Sequence, residues 1–159
     1  MAGVGNTCFR IHLLSRRLWS KGGFRRKLAK LVQWGNQVLL GCFIGCEAQI
    51  DETCTFMHNG LGVVIHDRAT IGPRCTIFQH VTIGCSYRGG VCDGLAPRIG
   101  SDVLIGVGAC ILGDIAIGDG ARIGANAVVL HDVPAGATAV GVPAKIRPAS
   151  AKVAADDHH

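Results

Sequence analysis

The chain contains 159 residues (16.6 kDa), of which 48% are hydrophobic and only 5% aromatic, and its formal net charge is +5. This length fits one domain with a small cap, and the shortage of aromatic residues excludes a globular core built on aromatic rings. No stretch is apolar over the about 18 residues that a membrane span needs. The N-terminus also lacks the long apolar segment of a secretory signal.

The N-terminal segment predicts a helical cap over residues 1–41. Apolar residues recur at helical spacing in 10–20 and in 24–40, with Gly22 and Gly23 between the two segments. A cap of this kind is needed because the open end of a stack of strands is an unpaired sheet edge.

The same segment is strongly basic, since residues 1–46 hold eight Lys or Arg and no acid. The simplest interpretation is a solvated helix face. The alternative is attraction to an anionic glycan or to a lipid-linked precursor at a membrane surface. The residues that would serve it are Arg16, Arg17, Arg25, Arg26 and Lys27. No nucleic-acid-binding motif accompanies the charge, so we expect no nucleic-acid partner.

From residue 44 onward, apolar residues recur every six positions. These anchors are Ile44, Ile50, Phe56, Ile65, Ile71, Ile77, Ile83, Ile99, Ile105, Ile111, Ile117, Ile123 and Val129. Neither a helix nor a simple strand gives a stride of six. A short strand with one inward β-branched residue, followed by a tight turn, does. The spacing therefore predicts a mainly β domain over residues 42–147, a parallel β-helix with three strands to each coil.

Two insertions interrupt the repeat, and insertions in a regular solenoid are where function is expected. The first lies between Phe56 and Ile65 and contains His58. The second, residues 85–96, lies between Ile83 and Ile99. Beyond the repeat, the polar or small residues 148–159 predict a flexible tail.

The eight cysteines form no CxxC pair and no regular framework. Where inward positions need small residues, cysteine serves as a small hydrophobe. We therefore expect reduced thiols and a cytoplasmic protein rather than a disulfide framework. No metal site is expected, because the spacing of His58, His66 and His80 does not match a three-histidine zinc site.

Three motifs in order make the chain resemble the hexapeptide-repeat acyltransferases, and among them the serine acetyltransferase branch. They are FMHNGLGVVI at 56–65, QHVTIG at 79–84 and GVPAK at 141–145. Within the branch, the chain looks most like the short relatives that acetylate capsule and exopolysaccharide sugars. The resemblance implies left-handed winding, a homotrimer with sites between subunits, and acetyl-CoA as the acetyl donor with no metal.

Residue by residue, the resemblance makes His58 the general base that deprotonates the acceptor hydroxyl. His80 and Asn59 would line the acceptor pocket, with a purely structural role for His80 left open, and the Gly84 amide would stabilise the oxyanion. The resemblance also implies a groove of small residues for acetyl-CoA and a lysine for its phosphates. The residues concerned are Gly84, Gly106, Ala109, Gly124, Ala127 and Lys145.

Three positions depart from the serine acetyltransferase pattern. Phe43 and Met57 stand where the branch has aspartates, and Ala96 stands where it has a histidine. Because the branch uses those residues to hold its amino acid, the departures favour a saccharide hydroxyl as the acceptor. Serine O-acetylation is the alternative, and a non-catalytic trimeric scaffold is the second alternative. The carboxylate candidates for orienting His58 are then Glu47 and Asp51.

Overall fold

The computed structural model describes residues 7–88, 91–92 and 94–149, with only the backbone of Tyr87, Arg88 and Val91. The predicted tail beyond residue 149, including His158 and His159, lies outside these residues. Two helices come first, α1 at Thr7–Ser20 and α2 at Phe24–Leu40. No helix among the described residues is long and apolar enough to cross a bilayer.

Short strands follow, and one 3-10 turn, Met57–Gly60, lies between the third and fourth of them. The strands are β1 Phe43–Ile44, β2 Gln49–Ile50, β3 Thr55–Phe56, β4 Val64–Ile65, β5 Thr70–Ile71, β6 Thr76–Ile77, β7 Thr82–Gly84, β8 Tyr87–Arg88, β9 Val91–Cys92, β10 Arg98–Ile99, β11 Leu104–Ile105, β12 Cys110–Leu112, β13 Ala116–Ile117, β14 Arg122–Ile123, β15 Val128–Val129, β16 Thr138–Val140 and β17 Lys145–Arg147.

The strands stack into three sheets that form the walls of the β-helix. Sheet A has the order β1-β4-β7-β12-β15, sheet B the order β13-β10-β5-β2, and sheet C the order β17-β16-β14-β11-β6-β3. All neighbours within these sheets pair in parallel except β16 and β17, which turn back to close the last coil. Strands β8 and β9 form a separate antiparallel hairpin within the second insertion. The predicted parallel β-helix is confirmed.

The six-residue stride follows from the coil-to-coil hydrogen bonds. The amides of Gly72, Gly106 and Gly124, each just after an anchor, donate to the next coil over 2.8–2.9 Å. Because this register fixes which side chain of each strand points inward, every predicted anchor is buried.

A second inward position lies two residues before each anchor, where the chain turns a corner and needs a small side chain. Cys42, Cys54 and Cys75 occupy three of these positions and are buried. Their role as small hydrophobes is therefore confirmed.

Helix α2 packs with the opposite face to the one that its apolar spacing predicts. The buried residues are Ala29 and Asn36. The Asn36 side chain donates to the Cys8 carbonyl over 3.1 Å, and that of Gln33 to the Ile44 carbonyl over 3.0 Å. Gln33 thus satisfies a carbonyl at the open end of the β-helix and Asn36 satisfies one of α1, while the large apolar residues of α2 face outward.

Helix α1 packs against both α2 and the first coil and supplies the apolar contact of the cap. The Phe9 ring packs against that of Phe56, with centroids 5.1 Å apart, and also stacks on the ring of His12. His12 is almost fully buried. Burial, and next the charge of Arg16, lower the pKa of His12 to about 4.

We expect the stability of the protein to fall as the pH drops from about 6.5 towards 4, and to be flat with respect to His12 above that window. In this window the unfolded chain binds a proton on His12 that the folded chain does not bind, so acid favours unfolding. A shift of this size corresponds to roughly 3 kcal/mol.

Urea unfolding at several pH values measures this dependence. The slope of the unfolding free energy against pH should be shallower in His12→Leu than in the native protein. It should be unchanged in His131→Leu, because His131 is exposed. Equal slopes in both variants would assign the acid sensitivity to other groups.

Candidate active site

His58 is held in an irregular turn where the chain passes from sheet C to sheet A. Both His58 (φ 49°) and Asn59 (φ 57°) adopt the left-handed backbone conformation, which is uncommon for residues other than glycine. The His58 side chain is exposed. The first insertion therefore forms a protruding turn that presents a histidine, as its sequence predicts.

Helix α1 fastens this turn from above. The Cys8 amide donates to Asn59 Oδ1 over 3.4 Å. At Gly60 a β-carbon would lie only 2.5 Å from Cys8 Sγ, so glycine is required there. The Asn59 oxygen thus holds the turn against the cap, and the place of Asn59 in the acceptor pocket stays a prediction.

His80 occupies the corresponding corner of the next coil. Its amide donates to the Leu61 carbonyl over 2.8 Å, and its backbone is also left-handed (φ 59°). The imidazole Nδ1 lies in the space that a side chain at position 62 would fill, so Gly62 makes room for the ring. His58 and His80 are thus brought to one corner of the β-helix on successive coils.

The same corner continues through the later coils, and we refer to residues 57–62, 78–81, 106–109, 124–127 and 140–145 as the His58 corner. Gly106 and Gly124 lie on it one above the other, because β11 pairs with β14. Lys145 pairs with Val140 and is exposed at its end.

The side chains of two predicted groove residues point into the core. Ala109 and Ala127 are fully buried in the core, so their side chains do not line an outer groove. Each lies two residues before an anchor, and strand alternation already indicates an inward position. They are small because the core is narrow at the corner.

Gly84 lies at the other edge of sheet A. It ends β7, roughly 10 Å along the strand from the His58 corner. It borders a cavity of about 490 Å³ on the outer face of the sheet, which Phe43, His66, Cys85 and Leu112 also line. Within one chain, Gly84 therefore does not share a site with His58, and its predicted oxyanion role stays a prediction for a site between subunits.

This cavity has an apolar wall that the anchor pattern alone does not identify. Phe43 and Val64 face outward from neighbouring strands of sheet A, and Leu112 and Leu130 lie further along it. The sequence signal for this wall is an apolar residue next to the anchor, as at Phe43 and Val64. In a strand with one solvent-exposed face that position is ordinarily polar.

Cys85 and Cys92 are joined by a disulfide across the second insertion, so the expectation of reduced thiols is wrong for this pair. Cys85 lies just before β8 and Cys92 is the last residue of β9, so the disulfide joins the two ends of the hairpin segment. The other six cysteines are free.

His66 Nε2 lies 3.9 Å from Cys92 Sγ. Together with Cys85 these residues are the one group among the described residues whose ligand atoms are close enough to share a metal ion. The disulfide leaves neither sulfur as a thiolate, which is the form that binds metal.

The carboxylates proposed to orient His58 are engaged elsewhere. Glu47 Oε1 accepts a hydrogen bond from Trp19 Nε1 over 3.1 Å, and Asp51 Oδ1 accepts from the Thr53 hydroxyl over 2.6 Å. They lie on the turns after sheets A and B, respectively, whereas His58 follows sheet C. The six-residue period does not by itself tell which of three corners a residue occupies, so this pairing is wrong.

The positions that depart from the serine acetyltransferase pattern are all ordered. Phe43 faces outward on β1 at the cavity, and Met57 precedes His58 in the turn. Ala96 is buried in the core cluster immediately before Pro97. The second insertion therefore returns to the β-helix by packing a small side chain inward at this position.

Comparison with known proteins supports the six-residue repeat and the resemblance to serine acetyltransferases. The family model described as bacterial transferase hexapeptide (six repeats) matches residues 96–131. Serine acetyltransferase of Mycobacterium tuberculosis is 41% identical over 135 residues, which is 85% of this chain and 57% of that protein.

Solved structures agree. Soybean serine acetyltransferase apoenzyme superposes with a TM-score of 0.81 at 40% identity, covering 88% of this chain and 56% of that one. A serine acetyltransferase in complex with CoA gives a TM-score of 0.79 at 34% identity, covering 88% and 56%. The chain thus spans little more than half the length of the relatives that it matches.

We expect alkylation to distinguish three classes of cysteine. With no reductant, the folded protein should react mainly at half-buried Cys110, because the other free thiols are buried. Unfolding should raise the number of labelled cysteines to six, and reduction should raise it to eight.

Peptide mass mapping of the labelled protein provides the readout. A peptide linking Cys85 to Cys92 should appear only before reduction. Labelling of all eight cysteines in unreduced, unfolded protein would show that the disulfide does not form.

Proposed function

We propose that this chain, a hexapeptide-repeat protein related to the serine acetyltransferases, transfers the acetyl group of acetyl-CoA to an acceptor hydroxyl. His58 removes the hydroxyl proton, and the resulting oxygen attacks the thioester directly, without a covalent enzyme intermediate. The CoA thiolate leaves and takes up a proton. None of these roles, as assigned to the described residues, requires a bound metal ion.

The observation that carries the proposal is the continuity of the His58 corner. It runs from an exposed histidine, past the small residues Gly106 and Gly124, to an exposed lysine. The five strand steps of sheet C that separate β3 from β17 amount to about 24 Å. A corner of this length suits an extended pantetheine arm with its thioester at His58 and its phosphates near Lys145.

The glycine amides of the corner are engaged between coils and are not free donors for a ligand. The amides of Gly106 and Gly124 donate to Ile123 and Ala139, each over 2.8 Å, so they are already committed. A β-carbon at Gly106 would lie 2.7 Å from the Ala125 amide nitrogen, and one at Gly124 would lie 2.7 Å from Val140 Cγ1, so glycine is required here for the close approach of the next coil. Arg122 and Arg147 both pair with Thr138 close to Lys145, and they add positive charge for phosphates.

We further propose a homotrimer of left-handed β-helices with the site between neighbouring subunits. Exposed Val64 and Leu130 on the outer face of sheet A offer an apolar surface for a neighbour. Gly84 and the second insertion are remote from His58 within one chain, so a neighbouring copy is the route by which they could complete its site. Oligomerisation also suits a narrow solenoid core.

L-Serine is the acceptor that the comparisons favour, because the related proteins are serine acetyltransferases. This reverses the order expected from the three departures in sequence. A saccharide hydroxyl is the second candidate, since apolar Phe43 and Met57 and inward-facing Ala96 offer no group to bind an ammonium or a carboxylate. A non-catalytic scaffold, the third candidate, would bind no acetyl-CoA.

Replacement of His58 by asparagine tests the base. Asparagine tolerates the left-handed conformation of this turn, so the fold should persist while the proton acceptor is lost. We expect kcat to fall on the order of 10²-fold or more in a thiol-release assay. His131→Asn, at an exposed surface histidine, should keep the native rate.

Acetyl-CoA should still raise the melting temperature of His58→Asn, because the base is not required for binding. If acetyl-CoA leaves the melting temperature of the native protein unchanged even at saturating concentration, the scaffold alternative replaces the proposal. Near-native turnover by the asparagine variant would move the base to another residue.

An acceptor screen decides between the two classes of hydroxyl. With acetyl-CoA fixed, CoA release is followed with L-serine, with D-serine as the stereochemical control, and with a panel of hexoses and their glycosides. We expect turnover with L-serine that saturates and exceeds that with D-serine. Saturating turnover with a sugar and none with L-serine would establish the saccharide alternative.

A further inference from the structure

The outward face of α2 is apolar, although this helix lies at the surface. Its exposed large hydrophobic residues are Phe24, Leu28, Leu31, Trp34, Val38 and Leu39, with exposed fractions between 42% and 81%. At 100° per residue they fall on one contiguous stripe along the helix. We call this surface the α2 stripe.

The orientation of α2 is fixed by its other face. Ala29 is buried, and the side chains of Gln33 and Asn36 donate to carbonyls of β1 and α1, respectively. These three residues recur at helical spacing opposite the stripe. Rotating the helix to bury the stripe would break both hydrogen bonds, so the outward direction of the apolar residues is built into the fold.

At 100° per residue, Arg25 and Lys30 border the stripe, Lys27 lies within it, and Arg26 lies towards the inward face. Arg25, Arg26, Lys27 and Lys30 are all exposed on the same helix, and residues 1–46 contain no acid. Arg26 and Lys30 stand over the ring of Trp19 in α1, 5.1 Å and 5.9 Å from its centroid, so these two cations lie on the side of α2 that faces α1.

We propose that the α2 stripe docks the protein on an anionic lipid bilayer, with α2 lying in the interface between headgroups and acyl chains. An amphipathic helix with bulky apolar residues on one face and lysine and arginine along its edges has the composition of an interfacial membrane helix. Each cation near an anionic surface adds to the attraction. Trp34 has the amphipathic ring that suits the headgroup level.

Charge selects this occupant over a second copy of the chain. Two α2 stripes placed face to face would bring two sets of cations together without a neutralising acid from either helix. Anionic headgroups neutralise the same cations. Docking would also place the capped end of the β-helix towards the bilayer, and the His58 turn is fastened to that end through Cys8 and Asn59.

Vesicle flotation of the full chain tests the docking. We expect co-flotation with vesicles of phosphatidylcholine and phosphatidylglycerol in equal parts, and much less with pure phosphatidylcholine. Binding should weaken steeply at about 1 M salt, where the Debye length is about 3 Å. Emission from Trp34 should shift to the blue on binding, and Trp34→Phe should lose that shift.

Matched variants separate the stripe from general charge. Leu31→Asp with Val38→Asp should abolish flotation, whereas Leu104→Asp, at an exposed leucine of sheet C, should not. Arg25→Gln with Lys27→Gln should weaken binding about 30-fold, at about 1 kcal/mol for each cation. Arg74→Gln with Arg98→Gln removes the same charge from surface salt bridges of the β-helix and should have little effect.

Flotation that is absent, or equal with both vesicle types, overturns the proposal. If the protein instead self-associates and the stripe variants dissociate it, a second copy covers the stripe and the proposal is wrong. The result is independent of the proposed catalysis, because the stripe variants should acetylate a water-soluble acceptor at the native rate. Circular dichroism and melting temperature confirm that each variant is folded.

Discussion

Coil-to-coil backbone hydrogen bonding is the constraint on which the rest of this structure depends. Each strand is only two or three residues long, so its stability comes from parallel partners in the coils above and below. Register cannot slip, since a slip would turn every inward isoleucine to solvent. Extra residues are tolerated only at corners, and this is why both insertions lie between strands.

The corners of the β-helix accommodate residues and backbone conformations that do not fit the strands. Gly62, His80, Gly108 and Asn126 stack along one corner, and all four have a left-handed backbone. A side chain there lies against the preceding coil, which needs glycine or open space beneath it. Two histidines can therefore stand on successive coils, His58 in its own fastened turn and His80 over Gly62. The same geometry that closes a coil thus presents the candidate base.

The N-terminal cap serves the β-helix in an unexpected way. An open end of a β-helix exposes unpaired carbonyls, and the Gln33 side chain of α2 donates to one of them, at Ile44. With polar residues facing inward, the apolar residues of α2 are left outside. Covering a sheet edge and burying a hydrophobic face are competing demands, and here the hydrogen bonds determine the orientation.

The sequence by itself determined the repeat, the buried anchors, both helices and the irregular turn at His58, because a stride of six has one simple structural solution. Strand alternation would also have predicted the inward direction of Ala109 and Ala127. Only the tertiary structure decided which corner Glu47, Asp51 and Gly84 occupy, which face of α2 packs inward, and that Cys85 meets Cys92. A six-residue period is the same for all three sheets, so it does not assign a residue to one of the three corners. An apolar pattern in a helix likewise does not identify the elements that pack on each of its faces. Contacts between distant residues settle both.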